Sequence, residues 1–314
     1  MVRRDELDKW FESRQFHFAK LALTGIHNKP VLEINRPEMA DEEICLFHRD
    51  VAGGDACFER LHERVRQCMA GRQAMPVVRF ADGEYAFYNQ DLHCNGLYQQ
   101  AESVGAIQRA MPFHRDALQY LSVTGIMTPL IFPGNLRRNA KGVFSFLVKF
   151  RTPSSSAETF LTFLSESPVE LNRHNYLPFY VVYAWLTSAV FARLMDRKKI
   201  CVLNSEWNRD ACIRWFDHFS SHPDFSFVQI PAEYVATRWA SMRDGILNQV
   251  PSDTDFCLVG AGVGALLVCV DVAKRFSIPA IDAGHVLNMM NDRVDKSNGA
   301  RLYTLWKNIP IPRR

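Results

Sequence analysis

Apolar residues recur along this chain at two spacings, one helical and one extended, and stretches of each kind alternate. Residues 5–22 place Leu7, Trp10, Phe11, Phe18 and Leu21 among charged positions at helical spacing, which predicts an amphipathic helix. Residues 25–55 are irregular, with Pro30, Pro37, Gly53 and Gly54. A second helix is predicted over Ala56 to Met69, with Phe58, Leu61, Val65 and Met69 on one face. Pro76-Val77-Val78-Arg79-Phe80 then reads as a short strand that stops at Ala81-Asp82-Gly83-Glu84, where glycine allows a sharp turn. Glu102 to Leu121 is predicted helical and Leu121 to Met127 extended, ending in Thr128-Pro129. The polar segment Thr152-Pro153-Ser154-Ser155-Ser156 predicts a loop that opens a helix at Ala157. Further strands are expected at Lys199–Asn204, Phe225–Ile230, Asp255–Val259 and Pro279–Asp282, with helices over Arg238–Val250 and Ala265–Arg275.

Strands alternating with helices imply an α/β fold with a doubly wound, mostly parallel sheet. In such sheets ligands bind outside the carboxyl ends of the strands. That rule singles out Asp82 and Glu84, Asn204, Gly260 to Gly264, and Asp282 to His285. The stretch Asn175 to Ala192 carries no charge and is close to bilayer-spanning length. Yet it contains Asn175, Pro178, Thr187 and Ser188, and Arg193 and Asp196-Arg197-Lys198-Lys199 end it abruptly. A buried helix and no transmembrane span are expected.

Composition narrows the class. Apolar residues at 47% and charged residues at 23% are ordinary for a globular chain. A net charge of +3, from 37 basic and 34 acidic residues interspersed, argues against a nucleic-acid partner. The 8 cysteines include no Cys-x-x-Cys pair, and Cys201, Cys257 and Cys269 lie in apolar stretches, which predicts reduced, buried thiols. The N-terminal sequence lacks an apolar leader, so a cytoplasmic location is expected.

Three constellations carry chemistry. Gly260-Ala261-Gly262-Val263-Gly264-Ala265 follows a strand and opens a helix, so its N–H groups either receive a phosphate or simply allow tight strand–helix packing. With Asp282 it also satisfies a dinucleotide-binding fingerprint, but only the segment from Pro279 to Arg314 follows its helix, too little for a second nucleotide-binding half. Asp82 and Glu84 bracket Gly83 and offer hard oxygen ligands for Mg²⁺ or Mn²⁺, although surface turns use the same residues. His285, after Gly284 at a strand end, is either a structural histidine or a ligand or acid/base group. His218 and His222 are four apart without a zincin glutamate and read as a helix end, and His93-Cys94 has no metal-ligand partner. No G-x-S-x-G elbow or Walker A motif occurs.

Val77-Val78-Arg79-Phe80-Ala81-Asp82-Gly83-Glu84 resembles the strand and acidic turn of the bacterial GT-D-fold glycosyltransferases. Val259-Gly260-Ala261-Gly262, and after a helix Ala280-Ile281-Asp282-Ala283-Gly284-His285, are similar to that family's closing segment. Asn175-Tyr176-Leu177-Pro178-Phe179 before an apolar helix also resembles the family layout. Departures are Ala81 in place of glycine, Ala283 in place of a bulkier residue, and Val286-Leu287-Asn288-Met289-Met290 in place of an acidic–aromatic continuation. The resemblance covers roughly Val65 to Asn288. It implies a Rossmann-like catalytic domain over 65–314, with 1–64 as a helical and irregular N-terminal extension.

The resemblance further implies a metal-dependent hexosyltransferase that moves a sugar from a UDP-sugar type of donor to a hydroxyl acceptor on a glycan, glycoprotein or lipid-linked sugar. In that expectation Asp82 and Glu84 bind Mn²⁺ or Mg²⁺, and Asp82, Glu84 and His285 are the catalytic candidates. Arg79, Gly83, Asn204, Gly260, Ala261, Gly262 and Asp282 line the substrate site, and Arg79 or the Arg137-Arg138 pair offsets phosphate charge. Two other readings stay open: a dinucleotide-binding oxidoreductase using Gly260 to Ala265 and Asp282, and a non-catalytic α/β scaffold. A homo-oligomer is compatible with the sequence, and nothing in it fixes one.

Overall fold

The computed structural model describes residues 54–94, 98–99, 101–130, 157–172, 174–177, 179–186, 188–217 and 219–291. The expected helix over 5–22, the irregular segment up to residue 53, the loop 152–156, Arg137-Arg138 and His218 lie outside the described residues.

Six strands form one all-parallel sheet: β1 (Met75–Phe80), β4 (Ile126–Pro129), β5 (Lys199–Asn204), β6 (Asp224–Gln229), β7 (Phe256–Gly260) and β8 (Pro279–Asp282), in the order β4-β1-β8-β7-β5-β6. A two-stranded antiparallel ribbon of β2 (His93–Cys94) and β3 (Tyr98–Gln99) stands apart. The architecture is the expected α/β, Rossmann-like one. Helix α1 (Gly54–Gly71) opens the described chain, so Gly54 belongs to a helix rather than to the irregular segment, and the expected boundary at residue 64 falls inside it.

Helices cover both faces because the strands are apolar on both sides. On β1, Val78 and Phe80 join one core, while Met75 and Val77 join the other; on β7, Cys257 and Val259 oppose Phe256 and Leu258 in the same way. The first core is closed by α2 (Asp82–Tyr88), α3 (Val104–Thr124), α4 (Ala157–Glu166), α8 (Val235–Leu247) and α9 (Ala265–Phe276). The second is closed by α1, α5 (Phe179–Leu186), α6 (Ala189–Leu194), α7 (Arg209–Asp217) and α10 (His285–Met290). Phe58, Leu61, Val65 and Cys68 of α1, three or four apart, are all buried in that second core.

Local sequence explains the element ends. Ser103 caps α3 by accepting the Ala106 N–H at 3.1 Å, and Ser188 caps α6 through Phe191 at 3.1 Å. That second cap divides the uncharged stretch after Asn175 into two short helices, both packed into the core, and no helix among the described residues is long and apolar enough to cross a membrane. Cys201, Cys257 and Cys269 are buried free thiols in the first core, as their apolar surroundings predict.

Strand order sets where a ligand can enter. The connection leaving β5 runs outward to β6, whereas the connection leaving β7 runs the other way to β8, and β5 and β7 are neighbours. Such a reversal opens a crevice at the carboxyl ends of the two strands. Asn204 and Gly260 are register partners at its floor.

Candidate functional site

The carboxyl edge of the sheet gathers most of the residues selected from the sequence, and its centre is Arg79. This residue sits in β1 beside β8 and is only 8% exposed. Its backbone N–H donates to Asp282 Oδ2 at 3.3 Å, Nε donates to the Asp282 carbonyl at 2.9 Å, and Nη2 donates to Asp282 Oδ1 at 2.8 Å. Nη1 donates to the Tyr183 hydroxyl, and the guanidinium lies 4.7 Å from the Tyr183 ring centroid and 5.4 Å from that of Phe179. Burial works against the charge, but Asp282 and the Tyr183 hydroxyl more than offset it and hold the Arg79 pKa above its ordinary value. Arg79, selected as a phosphate contact, is thus already bonded to Asp282 and Tyr183.

Asp282 is 3% exposed. Burial pushes its carboxyl pKa up, and the Arg79 guanidinium pulls it back. Gly284 completes the clamp. Its backbone is left-handed, at φ +40°, and a Cβ there would lie 1.8 Å from Arg79 Nη2, so only glycine admits the guanidinium. His285 follows at once as the first residue of α10, half-buried on the same edge.

The Asp82-Gly83-Glu84 segment, expected as a turn, is the first turn of α2. The glycine does not bend the chain back; it is buried at the start of a helix. Glu84 occupies the third helical position and its Oε2 accepts the Ala81 N–H at 2.8 Å, one half of a capping box. Alanine at the cap has no side chain to return the bond. Burial pushes the Glu84 carboxyl up to about 7; the nearby Asp282 carboxylate adds to the rise, and the Ala81 N–H and Arg79 oppose it. Asp82, half-buried, precedes it as the first residue of the same helix. Among the described residues, Asp282 and Glu84 thus both act on the buried Arg79 guanidinium, and Asp82 opens the helix that carries Glu84.

The glycine turn supplies the opposite wall. Helix α2 packs against the 3₁₀ turn Gly262–Gly264, and α8 packs against the same turn. The glycines divide the labour. A Cβ on Gly260 would meet Asn204 Oδ1 at 2.8 Å and Leu287 at 2.9 Å, and one on Gly264 would meet Val235 Cγ1 at 2.6 Å, so both serve close packing. Gly262, at φ +52°, faces open space, with Ala261 half-exposed beside it. Asn204 turns its Nδ2 to the Glu206 carbonyl at 3.0 Å and so orders the loop after β5.

Sequence reasoning missed Tyr183 and Phe179, which hold the Arg79 guanidinium from α5. The available signal was their spacing of four in a helix, which stacks both rings on one face. His222 stands apart from this edge, exposed beside Asp196 and Asp217. Among the described residues no group of three or more His, Cys, Asp or Glu side chains gathers in a metal-binding arrangement. A cavity of about 180 Å³ between α3, α8 and α9, lined by Phe113, Trp239 and Lys274, lies away from the strand ends. Comparison with protein-family models, with curated proteins and with solved structures returned no match.

Two outcomes follow from the clamp. Breaking a buried pair from one side strands a charge, so Arg79→Met alone should lower unfolding stability by about 3–5 kcal/mol, and Arg79→Met with Asp282→Leu should cost clearly less than the two single changes summed. Urea denaturation of the four proteins reads this directly; additive losses would contradict the clamp. The second concerns pH. Because Glu84 keeps its proton up to about 7 in the folded chain and releases it near its ordinary value of 4.5 when unfolded, folding binds a proton in that window. Its contribution is full below the unfolded value and is lost as pH rises through 7. Urea midpoints at pH 5 and pH 8, without divalent ions, should fall more for the parent than for Glu84→Gln; parallel curves would refute the assignment.

Proposed function

We propose that this protein is a metal-assisted glycosyltransferase of hexosyltransferase type, taking its sugar from a nucleoside-diphosphate donor of the UDP-sugar class. The observation that carries the proposal is the meeting, at the carboxyl edge of the sheet, of the carboxyl groups that follow β1 and end β8 with an open glycine turn. Asp282 and Glu84 both act on the Arg79 guanidinium, Arg79 is bonded to Asp282, and Asp82 opens the helix that carries Glu84. An edge of this kind favours a cation, and the adjoining Gly262 turn leaves room and N–H groups for phosphate. The order of the two motifs, similar to that of the GT-D-fold enzymes, supports the same reading.

The residues suit a hard divalent ion such as Mn²⁺ or Mg²⁺. Asp82 and Glu84 supply carboxylate oxygens, one Glu84 oxygen already accepts the Ala81 N–H, and water and diphosphate oxygens complete such a shell. When bound, the ion neutralises charge growing on the departing nucleoside diphosphate. The chain does the remaining work. Arg79 fixes β1 against β8 and thereby the spacing between Glu84 and His285. Ala261 and Gly262 receive the diphosphate, and Asn204 orders the loop that borders the crevice. The acceptor hydroxyl gives its proton to His285 or to a carboxylate of this edge. A dinucleotide reading asks Asp282 to bind a ribose hydroxyl, whereas that carboxylate is buried against Arg79.

Isothermal titration of the full chain with a UDP-sugar, with and without Mn²⁺, tests the proposal. Binding should require the ion, and Asp82→Ala should weaken it by about tenfold or more. Absence of nucleotide binding, or binding indifferent to both the ion and the substitution, would overturn it.

A further inference from the structure

Apart from Pro168, six non-glycine residues among those described have left-handed backbones, and five of them (Arg72, Gln90, Arg197, Ser220 and Ser277) follow the end of a helix, where that conformation commonly terminates the coil. Tyr234 differs. It stands at φ 61°, ψ 18° at the start of α8, and its side chain caps nothing. A bulky aromatic there is strained where glycine would not be.

The position of this tyrosine is informative. Because α8 follows β6 and runs back along the parallel sheet, its first turn lies at the carboxyl edge. Val235, the next residue, fills the space that a Cβ on Gly264 would need, so Tyr234 adjoins the glycine turn that carries Gly262. The ring is held on its side and at its tip. The Arg238 guanidinium lies 5.0 Å from its centroid and is itself ion-paired with Glu102, and the hydroxyl donates to Gln99 Oε1 at 3.2 Å. The residue is only half-buried. A ring fixed by a cation over one face and by a hydrogen bond at its tip, left partly open near the turn that carries the open Gly262, is a preformed stacking surface.

We propose that Tyr234 is the platform on which the nucleobase of the donor stacks, with Arg238 and Gln99 fixing its ring. This rests on the reading of the glycine turn as the diphosphate site. It adds that the donor is recognised through its base as well as through its phosphates, and it separates the pocket into two parts: a cation–phosphate half at Asp82 and Gly262, and an aromatic half at Tyr234.

The two halves can be tested apart. Mn²⁺-dependent binding of UDP and of inorganic pyrophosphate should be titrated into the parent chain, Tyr234→Phe, Tyr234→Ala and Tyr234→Gly. Loss of a base–aromatic stack should weaken UDP about tenfold or more in the Ala and Gly variants and leave pyrophosphate unchanged. The Phe variant, which keeps the ring, should stay close to the parent. Tyr234→Gly guards against misfolding, since glycine accepts the left-handed backbone and should preserve or raise the thermal midpoint. If the parent binds UDP and all four proteins bind it alike, the stacking proposal fails while the proposed function stands. Equal weakening of UDP and pyrophosphate also refutes it, because the tyrosine would then act on the turn itself. If the parent binds neither compound, both readings fall.

Discussion

A guanidinium buried between two strands must be answered on every side, and Arg79 is answered by a carboxylate, a backbone carbonyl, a phenol and two aromatic rings. These partners come from two distant parts of the chain. Asp282 ends β8, while Tyr183 and Phe179 lie on α5 in the opposite layer. Gly284, which leaves the guanidinium its space, precedes the helix that begins with His285. The clamp therefore does more than join β1 to β8. It fixes the path of the chain out of both strands, and those exits carry Glu84 and His285. Nothing in hydrophobic packing alone would set that geometry, because cores tolerate rearrangement of apolar groups more readily than of a paired, buried charge.

The electrostatics of the edge follow from the same commitment. Arg79 is directed to Asp282; burial raises the Glu84 carboxyl towards neutrality, the nearby Asp282 carboxylate adds to the rise, and the Ala81 N–H and Arg79 oppose it. Asp82 adds a further negative group one helical position after the cap. The Glu84 carboxyl also takes the Ala81 N–H with Oε2, which forms the single side of the capping box.

Much of this was legible in the sequence. The alternation of apolar runs predicts all six strands of the main sheet, and the strand-end rule selects Asp82, Glu84, Asn204, Gly260 and Asp282. The acidic segment itself was misjudged in form, since Gly83 suggested a turn where Glu84, three residues beyond the cap, was the stronger signal of a helix start. What stayed hidden were the long-range pairings. That Arg79 bonds Asp282, 203 residues later, has no local signature. The distinction between packing glycines and an open one, Gly260 and Gly264 against Gly262, depends on neighbours from β5 and α8 that periodicity cannot place. Tyr234 was invisible for a related reason, because its importance lies in a backbone angle.

We propose that a cation and a nucleoside diphosphate bind together at this edge. The most direct measurement is the thermal unfolding midpoint of the full chain with Mn²⁺ alone, UDP alone, the two together, and NAD. A ligand raises the midpoint only if it binds the folded chain. Mn²⁺ and UDP together should raise it by more than the sum of their separate effects. A rise with NAD alone, or no rise when Mn²⁺ and UDP are combined, would contradict the account.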